Sequence, residues 1–245
     1  MQKVFYFILI IFSYSSIIEA DIYIKRRVRQ ESYYYAGQVV PAEEYVIEQW
    51  IGFDKMVTTR DNWITIVNME IKTICFINRI DSTYVQANLP FDWNQVVGEE
   101  LIPRLNAMAF VGTIVPGKAN KNINDYECEE YNINRYFIYQ GNKYYETDIT
   151  EWVTKDINLD IDNFLKLNNI MWQIENYGEE ILKEFPNMYG FPVASDSYFY
   201  PRGFAVKTTV YPDELIESEP PANIYEVPQG FERKDKLTTE ELYSL

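Results

Sequence analysis

Histidine is absent from the 245 residues of the sequence. Its absence excludes Ser-His-Asp and Cys-His catalysis, histidine-ligated metal sites and pH switching by imidazole. Any chemistry would have to use carboxylates, tyrosine, lysine, arginine or the two cysteines. We therefore expect neither a metal nor a cofactor, and we predict that the protein is not an enzyme.

Basic residues are scarce in this chain. It has 22 Lys and Arg residues against 37 Asp and Glu residues, which is a formal net charge of −15. Such a chain repels the phosphates of nucleic acids and anionic lipid head groups, so no nucleic-acid partner is expected. Several of the basic residues cluster at "KRRVR", Lys25 to Arg29. We interpret this run as the exposed edge of a first strand, and a small anionic contact is the alternative.

Long apolar runs are missing beyond the N-terminus, so no membrane span is expected in the mature chain. The first 20 residues follow the pattern of an export signal. Lys3 precedes the apolar run "VFYFILIIF", which is too short to cross a bilayer, and Ala20 precedes Asp21. We predict a signal peptide at residues 1–20, cleaved near Ala20, and a periplasmic or extracellular location. An uncleaved anchor is the alternative.

Strand patterns dominate the rest of the chain. Between Asp21 and Leu89, runs rich in Val, Ile, Thr and aromatic residues recur at about 8–12-residue spacing, which predicts an antiparallel meander. The runs "YECEEYNI" and "YYETDITEWV", a hairpin around "YPRG" and a last strand at "NIYEV" continue it. We predict a single domain over residues 21–232, followed by a polar tail over residues 233–245 that frays beyond Phe231. We expect the protein to be a monomer.

Helical periodicity interrupts the strands in three places. The stretch "DWNQVVGEELIPRLNAMAF" repeats apolar residues at helical spacing, and Pro103 should kink or split it. The stretch "DIDNFLKLNNIMWQIE" has an apolar face and a capping residue, Asp160, and "GEEILKEF" is a shorter helix. The predicted class is therefore α+β, with the helices covering one face of the sheet.

The two cysteines, Cys75 and Cys128, both fall in predicted strands. An even number of cysteines in an exported protein suggests a disulfide bond between them. Two separate buried thiols and one reactive thiol are the alternatives.

Acidic pairs could act as general acid and base, as in glycoside hydrolysis. Glu127 and Glu129 share one face of a predicted strand at ~7 Å, and Glu146, Asp148 and Glu151 lie on another strand. Chance adjacency is expected among so many acidic residues. A carboxylate-dependent hydrolase is therefore the least favoured hypothesis.

A resemblance is carried by several short motifs: "EYVIEQWIGFDKMV", "YECEEYNI", "ITEWVTKDI", "GFPV" and "VPQGFE". The chain resembles an uncharacterised family of exported bacterial proteins, from which Cys75 departs because an aromatic residue is expected there. That family is similar to the lipoprotein-carrier (LolA/LppX-like) half-barrel fold. The resemblance implies an incomplete antiparallel β-barrel with helices packed on its concave face and an apolar cavity for acyl chains. It implies no catalytic residue.

The favoured hypothesis is an exported, non-enzymatic binding protein that holds an acyl chain, a lipid or a lipidated partner between sheet and helices. A secreted interaction or surface protein without a ligand cavity is the alternative. The candidate cavity residues are the large apolar residues on predicted elements: Trp50, Trp63, Ile66, Phe76, Trp152, Phe164 and Trp172.

Overall fold

The computed structural model describes residues 20–201 and 204–245. The predicted export signal lies outside the described residues, apart from Ala20. The predicted "YPRG" turn lies partly outside them, because Arg202 and Gly203 are not described. Within the described ranges, no helix combines the length and the apolar character that crossing a membrane would require.

Fourteen strands make up most of the described chain. They are β1 (Asp21–Gln30), β2 (Tyr33–Tyr35), β3 (Gln38–Val40), β4 (Glu43–Ile51), β5 (Lys55–Arg60), β6 (Trp63–Asn68), β7 (Thr73–Asn78), β8 (Thr83–Asn88), β9 (Val111–Ile123), β10 (Tyr126–Tyr139), β11 (Asn142–Thr154), β12 (Phe191–Phe199), β13 (Val206–Ser218) and β14 (Glu232–Arg233).

Twelve of these strands form one curved sheet that is not closed into a barrel. Its order is β14-β8-β7-β6-β5-β4-β1-β13-β12-β11-β10-β9, and β2 pairs with β3 in a separate hairpin. Neighbours are antiparallel except β14 and β8, which pair in parallel over two residues. The prediction of a curved antiparallel sheet with few helices is confirmed at this level.

The strand β1 joins two meanders, β4–β8 on one side and β9–β13 on the other. Its central position overturns the interpretation of "KRRVR" as an exposed sheet edge. The prediction failed because β13, which follows far later in the chain, pairs with the side of β1 that local sequence leaves open. Side chains alternate along β1, so Arg26 and Arg27 point to opposite faces of the sheet.

Within the described ranges, four short or medium helices accompany the sheet. They are α1 (Ile102–Ala107), α2 (Ile161–Ile174), α3 (Glu179–Leu182) and α4 (Thr239–Ser244), with 3₁₀ turns at Trp93–Gln95 and Phe185–Asn187. The predicted helices at α2 and α3 are confirmed, and Asp160 caps α2 by accepting from the Asn163 backbone N–H at 3.0 Å. The helix predicted from Asp92 is shorter than expected. Because Pro103 lacks an N–H and suits only a first helical turn, α1 begins beside it.

One face of the sheet, here called the inner face, carries the main hydrophobic core. Side chains of α2, including Phe164 and Leu167, pack there against Ile24, Ile51 and other buried residues of the strands. The rings of Phe164 and Phe191 lie 5.0 Å apart. The amphipathic pattern of α2 therefore buries its apolar side against the sheet.

The opposite, outer face is covered by the chain that follows β13. Four strand residues, Val57, Ile66, Cys75 and Ile77, pack there against Ile224, Tyr225, Val227 and Phe231. The prediction of a last strand at "NIYEV" is wrong. This segment forms a turn in which Asn223 has a left-handed backbone (φ 63°) and accepts from the Glu226 N–H at 3.0 Å.

The predicted fraying of the tail is also wrong. The tail passes the β8 edge as β14 and ends in α4, which begins with a capping box between Thr238 and Glu241. Glu241 is 7% exposed, pairs with Lys234 and accepts from Asn78 Nδ2 at 3.1 Å. Leu237 is buried in the main core. The polar composition of the tail suggested that it is solvated, but its few apolar side chains pack against the sheet and the main core.

The predicted disulfide bond is absent, because Cys75 and Cys128 are both free and buried. Cys75 packs in the outer-face cluster, whereas Cys128 belongs to the main core cluster. Burial raises the pKa of each thiol to about 11. Both groups therefore stay protonated at neutral pH and have little nucleophilic character.

Candidate functional site: an arginine-lined cleft

An open cleft of about 970 Å³ lies on the inner face of the sheet, beside the region that α2 fills. Both meanders and β1 form its floor. The strands place every second side chain toward it, for example Arg26 and Val28 on β1 and Ile47 and Gln49 on β4. The alternation that builds a half-buried strand thus also lines the cleft.

The wall above the floor comes from the helices and the loops between them. Along α2, Phe164, Asn168 and Met171 face the cleft at helical spacing, and Glu175, which follows the last turn, also lines it. The end of α2 is attached to α1, because Asn176 Nδ2 donates to the Leu105 carbonyl at 2.9 Å. This bond connects two separate segments of the wall.

Much of the lining is apolar and aromatic. Trp172 stacks on Phe185 with ring centroids 3.5 Å apart, and Tyr177 meets Phe185 edge-on at 5.2 Å. Phe110 and Phe137 close another part of the wall at 6.2 Å. Such a surface favours contact with an apolar molecule over contact with water.

Among the described residues, the charged side chains of the lining are four arginines and two glutamates. They are Arg26, Arg60, Arg104, Arg135, Glu151 and Glu175. The cleft is thus locally basic in a chain whose formal net charge is −15. This reversal of sign separates the cleft from the surface as a whole.

Arg26 lies on the floor of the cleft, in the middle of the sheet. Its guanidinium donates to Gln49 Oε1 and, at 2.6 Å, to the Pro192 carbonyl. Gln49 donates in turn to Thr58 Oγ1 at 3.0 Å. Burial lowers the pKa of Arg26 to about 10, so the group remains a cation at neutral pH. Among the described residues, the only carboxyl group whose charge acts on it is that of Glu151.

Arg135 has a different environment. It donates to the Tyr177 hydroxyl, lies 3.7 Å from Glu175 Oε2 and stacks over Phe110 at 4.8 Å. Its Nε–H is buried and unbonded within the described residues. Burial raises the pKa of Tyr177, so that hydroxyl stays protonated at neutral pH. The guanidinium of Arg135 is therefore already engaged by side chains of the protein, Tyr177 and Glu175.

The two carboxyl groups of the cleft titrate abnormally. Burial raises the pKa of Glu151 to about 8, which Arg26 opposes and the charge of Glu175 reinforces. Burial also raises the pKa of Glu175, although its side chain keeps 57% of its accessible surface inside the open cleft. Glu175 follows the last turn of α2, where the helix dipole disfavours an anion as well. Burial thus favours the neutral form of Glu151.

The predicted cavity residues have three different fates. Trp63, Phe164 and Trp172 line the cleft. Trp50 and Ile66 instead belong to the outer-face cluster, and Phe76 and Trp152 are buried in the main core. Large apolar side chains alone therefore do not mark the cleft.

The acidic pairs chosen from adjacency do not form a site. Glu129 binds Lys155 at 2.8 Å, Asp148 accepts from Asn134 at 2.8 Å, and Glu127 is exposed. Of the acidic residues singled out in the sequence, Glu151 alone faces the cleft. Among the described residues, no group of three or more Cys, Asp or Glu side chains could hold a metal ion.

The functional residues that sequence reasoning missed are the arginines and Glu175. The run "KRRVR" did contain a signal, because alternation must turn one or more of its basic side chains inward once β1 has partners on both sides. Glu175 had a weaker signal, since an acidic residue at the end of a helix opposes the helix dipole.

No family model matches the chain, and no curated protein matches it. A solved structure described as "Structure of PNGF-II in C2 space group" is similar with a TM-score of 0.43 and 12% sequence identity. The match covers 91% of this chain and 32% of that one, so the chain spans about a third of the length of the protein it matches. A similarity of this degree defines neither a family nor a function.

Proposed function

We propose that this protein is an exported, non-enzymatic binding protein that holds a hydrophobic ligand in its inner-face cleft. The ligand would be an acyl chain, a lipid or the lipid group of a modified partner protein. The observation that carries this proposal is the cleft of about 970 Å³ with aromatic and aliphatic walls between sheet and helices.

The size and lining of the cleft suit such a ligand. Small-molecule sites typically enclose about 300–1,000 Å³ and combine apolar walls with a few polar groups. Burial of apolar ligand surface contributes about 25 cal/mol per Å² before the losses on association are subtracted. A long chain lying against Val28, Ile47 and Val210 on the floor would exclude water from much of the cleft.

The proposed fold relation is an incomplete barrel of the lipoprotein-carrier kind, with helices on its concave face. The open, curved sheet and the packing of α2 on the inner face support it. The apolar run at the start of the sequence supports export to the periplasm or the outside of the cell, with cleavage near Ala20.

A secreted interaction protein is a second candidate, because aromatic side chains are exposed at the tip of the β10–β11 hairpin. Tyr139 and Tyr144 are 48% and 43% exposed, and their ring centroids lie 6.2 Å apart. A protein that used this tip alone would have no need of the cleft. Blocking the cleft therefore distinguishes this candidate from the first.

A carboxylate-dependent hydrolase is favoured by one observation, the raised pKa of both Glu151 and Glu175 in a single cleft. Turnover of a panel of aryl glycosides, lost in Glu151→Gln but kept in Glu129→Gln, would support this candidate. Absence of turnover by the wild-type chain would leave the binding protein as the better account.

The proposal is tested by filling the cleft. Val210 lies on its floor, whereas Val39 is 70% exposed on the separate hairpin, so Val210→Trp and Val39→Trp form a matched pair. We expect the purified wild-type chain to bind a fluorescent fatty acid and Val210→Trp to lose at least ten-fold in affinity, with Val39→Trp unchanged. Equal binding by all three proteins, or none by the wild type, would contradict the proposal. Native mass spectrometry after mild extraction should show a co-purifying lipid.

A further inference from the structure

We propose that the ligand of the cleft carries an anionic head group, a carboxylate or a phosphate, and that Arg26 binds it. This inference rests on the proposed function, because it specifies one end of the molecule that the cleft holds. It predicts a preference between two ligands with the same apolar chain.

The geometry of Arg26 is that of an anion receptor that is already oriented. Two nitrogen atoms of its guanidinium are held by Gln49 Oε1 and by the Pro192 carbonyl, and the group lies over the Phe191 ring at 5.5 Å. These partners are neutral, so they fix the group without compensating its charge. A guanidinium has five N–H donors in a planar fork, and the remaining donors suit a bidentate oxyanion.

The hydrogen-bond partners of Arg26 within the described residues, Gln49 and the Pro192 carbonyl, carry no charge. The acidic group whose charge raises the pKa of Arg26 is Glu151, and burial raises the pKa of that carboxyl group to about 8, which favours its neutral form. A partly buried cation without a counter-charge is unfavourable, and an anion placed beside it recovers the lost interaction. The head group of a ligand would supply that anion.

The other three arginines of the cleft are less suited to this role. Arg135 is engaged by Tyr177 and Glu175. Arg60 and Arg104 stack over the rings of Tyr45 and Tyr243 at 4.5 Å and 4.9 Å. Together these three arginines keep the electrostatic potential of the cleft positive. Arg26 differs from them because neutral groups hold it on the floor of the cleft.

The apolar chain of the ligand has a continuous path from this point. Val28 follows Arg26 on the same face of β1, and Ile47 and Val210 lie on the strands to either side. A single-chain amphiphile with its head group at Arg26 would therefore place its chain along the floor. This arrangement requires one acidic head group for each apolar chain.

The test compares oleate, oleyl alcohol and inorganic phosphate as ligands of the full chain at neutral pH. The proteins are the wild type, Arg26→Gln and Arg27→Gln. Arg27 is the matched control because it lies next in sequence on the outer face, paired with Glu44 and Asp213. We expect the wild type to bind oleate at least ten-fold more tightly than the alcohol. Arg26→Gln should abolish that difference, whereas Arg27→Gln should keep it.

Each of the other results contradicts a different part of the proposal. Equal binding of oleate and alcohol by the wild type overturns the head-group inference and leaves the proposed function standing. Binding of neither lipid contradicts the proposed function itself. Phosphate alone binding as tightly as oleate shows a site for free anions and overturns the amphiphile. Thermal unfolding verifies that Arg26→Gln is folded, and if it is not, Arg26→Lys should retain part of the oleate preference.

Discussion

The two faces of the sheet treat neighbouring arginines of β1 in opposite ways. On the outer face, Arg27 contacts Glu44 at 2.6 Å and Asp213 at 2.7 Å, in a solvated cluster of charges. On the inner face, Arg26 is held by neutral groups beside an abnormal carboxyl group. Charge balance, more than the number of charged residues, therefore distinguishes a surface from a binding cleft. On the outer face the charge of Arg27 is paired with carboxylates of the protein, whereas on the inner face the charge of Arg26 is available to a ligand.

The largest expected effect tests whether the inner face is really divided into a packed part and an open part. Ile24 is fully buried in the core, whereas Ile47 lines the cleft. We expect Ile24→Ala to lower the free energy of unfolding by ~2–5 kcal/mol and Ile47→Ala by less than half of that. Urea unfolding of both variants measures this difference. Equal losses would mean that the cleft residues are packed as tightly as the core.

A second prediction concerns the tail, which connects the outer face to the inner face. The Glu241 carboxylate accepts a hydrogen bond from Asn78 and pairs with Lys234. Burial alone would raise the pKa of Glu241, but these contacts outweigh it and the pKa is lowered. We expect Glu241→Gln to lower the free energy of unfolding by about 1–3 kcal/mol, since buried partners lose a charged acceptor. Because a lowered pKa stabilises the fold above the ordinary glutamate range, this contribution should vanish as the pH falls below about 4.

Glu240→Gln is the matched control for the tail, because Glu240 is exposed on the same helix turn. It should leave unfolding unchanged. Hydrogen exchange at α4 that is equally slow in both variants would argue against a role for the Glu241 contacts.

A third prediction uses the raised pKa of Glu151. A carboxyl group that binds its proton more tightly in the folded state makes the fold less stable as the pH rises from about 4.5 to 8. The free energy of unfolding of Glu151→Gln should therefore exceed that of the wild type by about 1–2 kcal/mol at pH 8 and by little at pH 4.5. Each pKa unit corresponds to about 1.4 kcal/mol, and solvent in the cleft reduces the full effect of the shift. Unfolding across this pH range tests it, with Glu129→Gln expected to follow the wild type.

The smallest change in stability is expected at the two neighbouring arginines of β1. The contacts of Arg27 are solvated, so Arg27→Gln should cause a small fall in Tm at low salt that disappears at high salt. Arg26→Gln should show no such salt dependence, because no ionised partner is lost. A salt-dependent effect at Arg26 would mean that Glu151 is ionised in the folded protein.

Local features of the fold could be predicted because each rests on a few adjacent residues. The α2 boundary followed from Asp160 and the apolar spacing after it, and the strands followed from alternation. The tail helix was missed although Thr238 and Glu241 form a recognisable capping box.

The cleft could not be predicted, because it depends on contacts distant in sequence. The inward direction of Arg26 depends on pairing with β13, and Glu151 and Glu175 come from a strand and a helix end that only the folded chain brings together. Alternation along a strand assigns the aromatic residues to two faces of the sheet, but it does not show which face carries the open cleft. Trp50 and Trp63 lie on opposite faces for this reason.

The pairing of the first strand with the last long one also has a consequence for the order in which the chain can fold. Asp21 is opposite Ser218, so one side of β1 stays without a partner until nearly the whole chain has been synthesised. Such an unpaired edge can add strands from other chains, and folding that waits for distant pairing is slow. A chain built in this order exposes an edge that can aggregate until its second half has been synthesised.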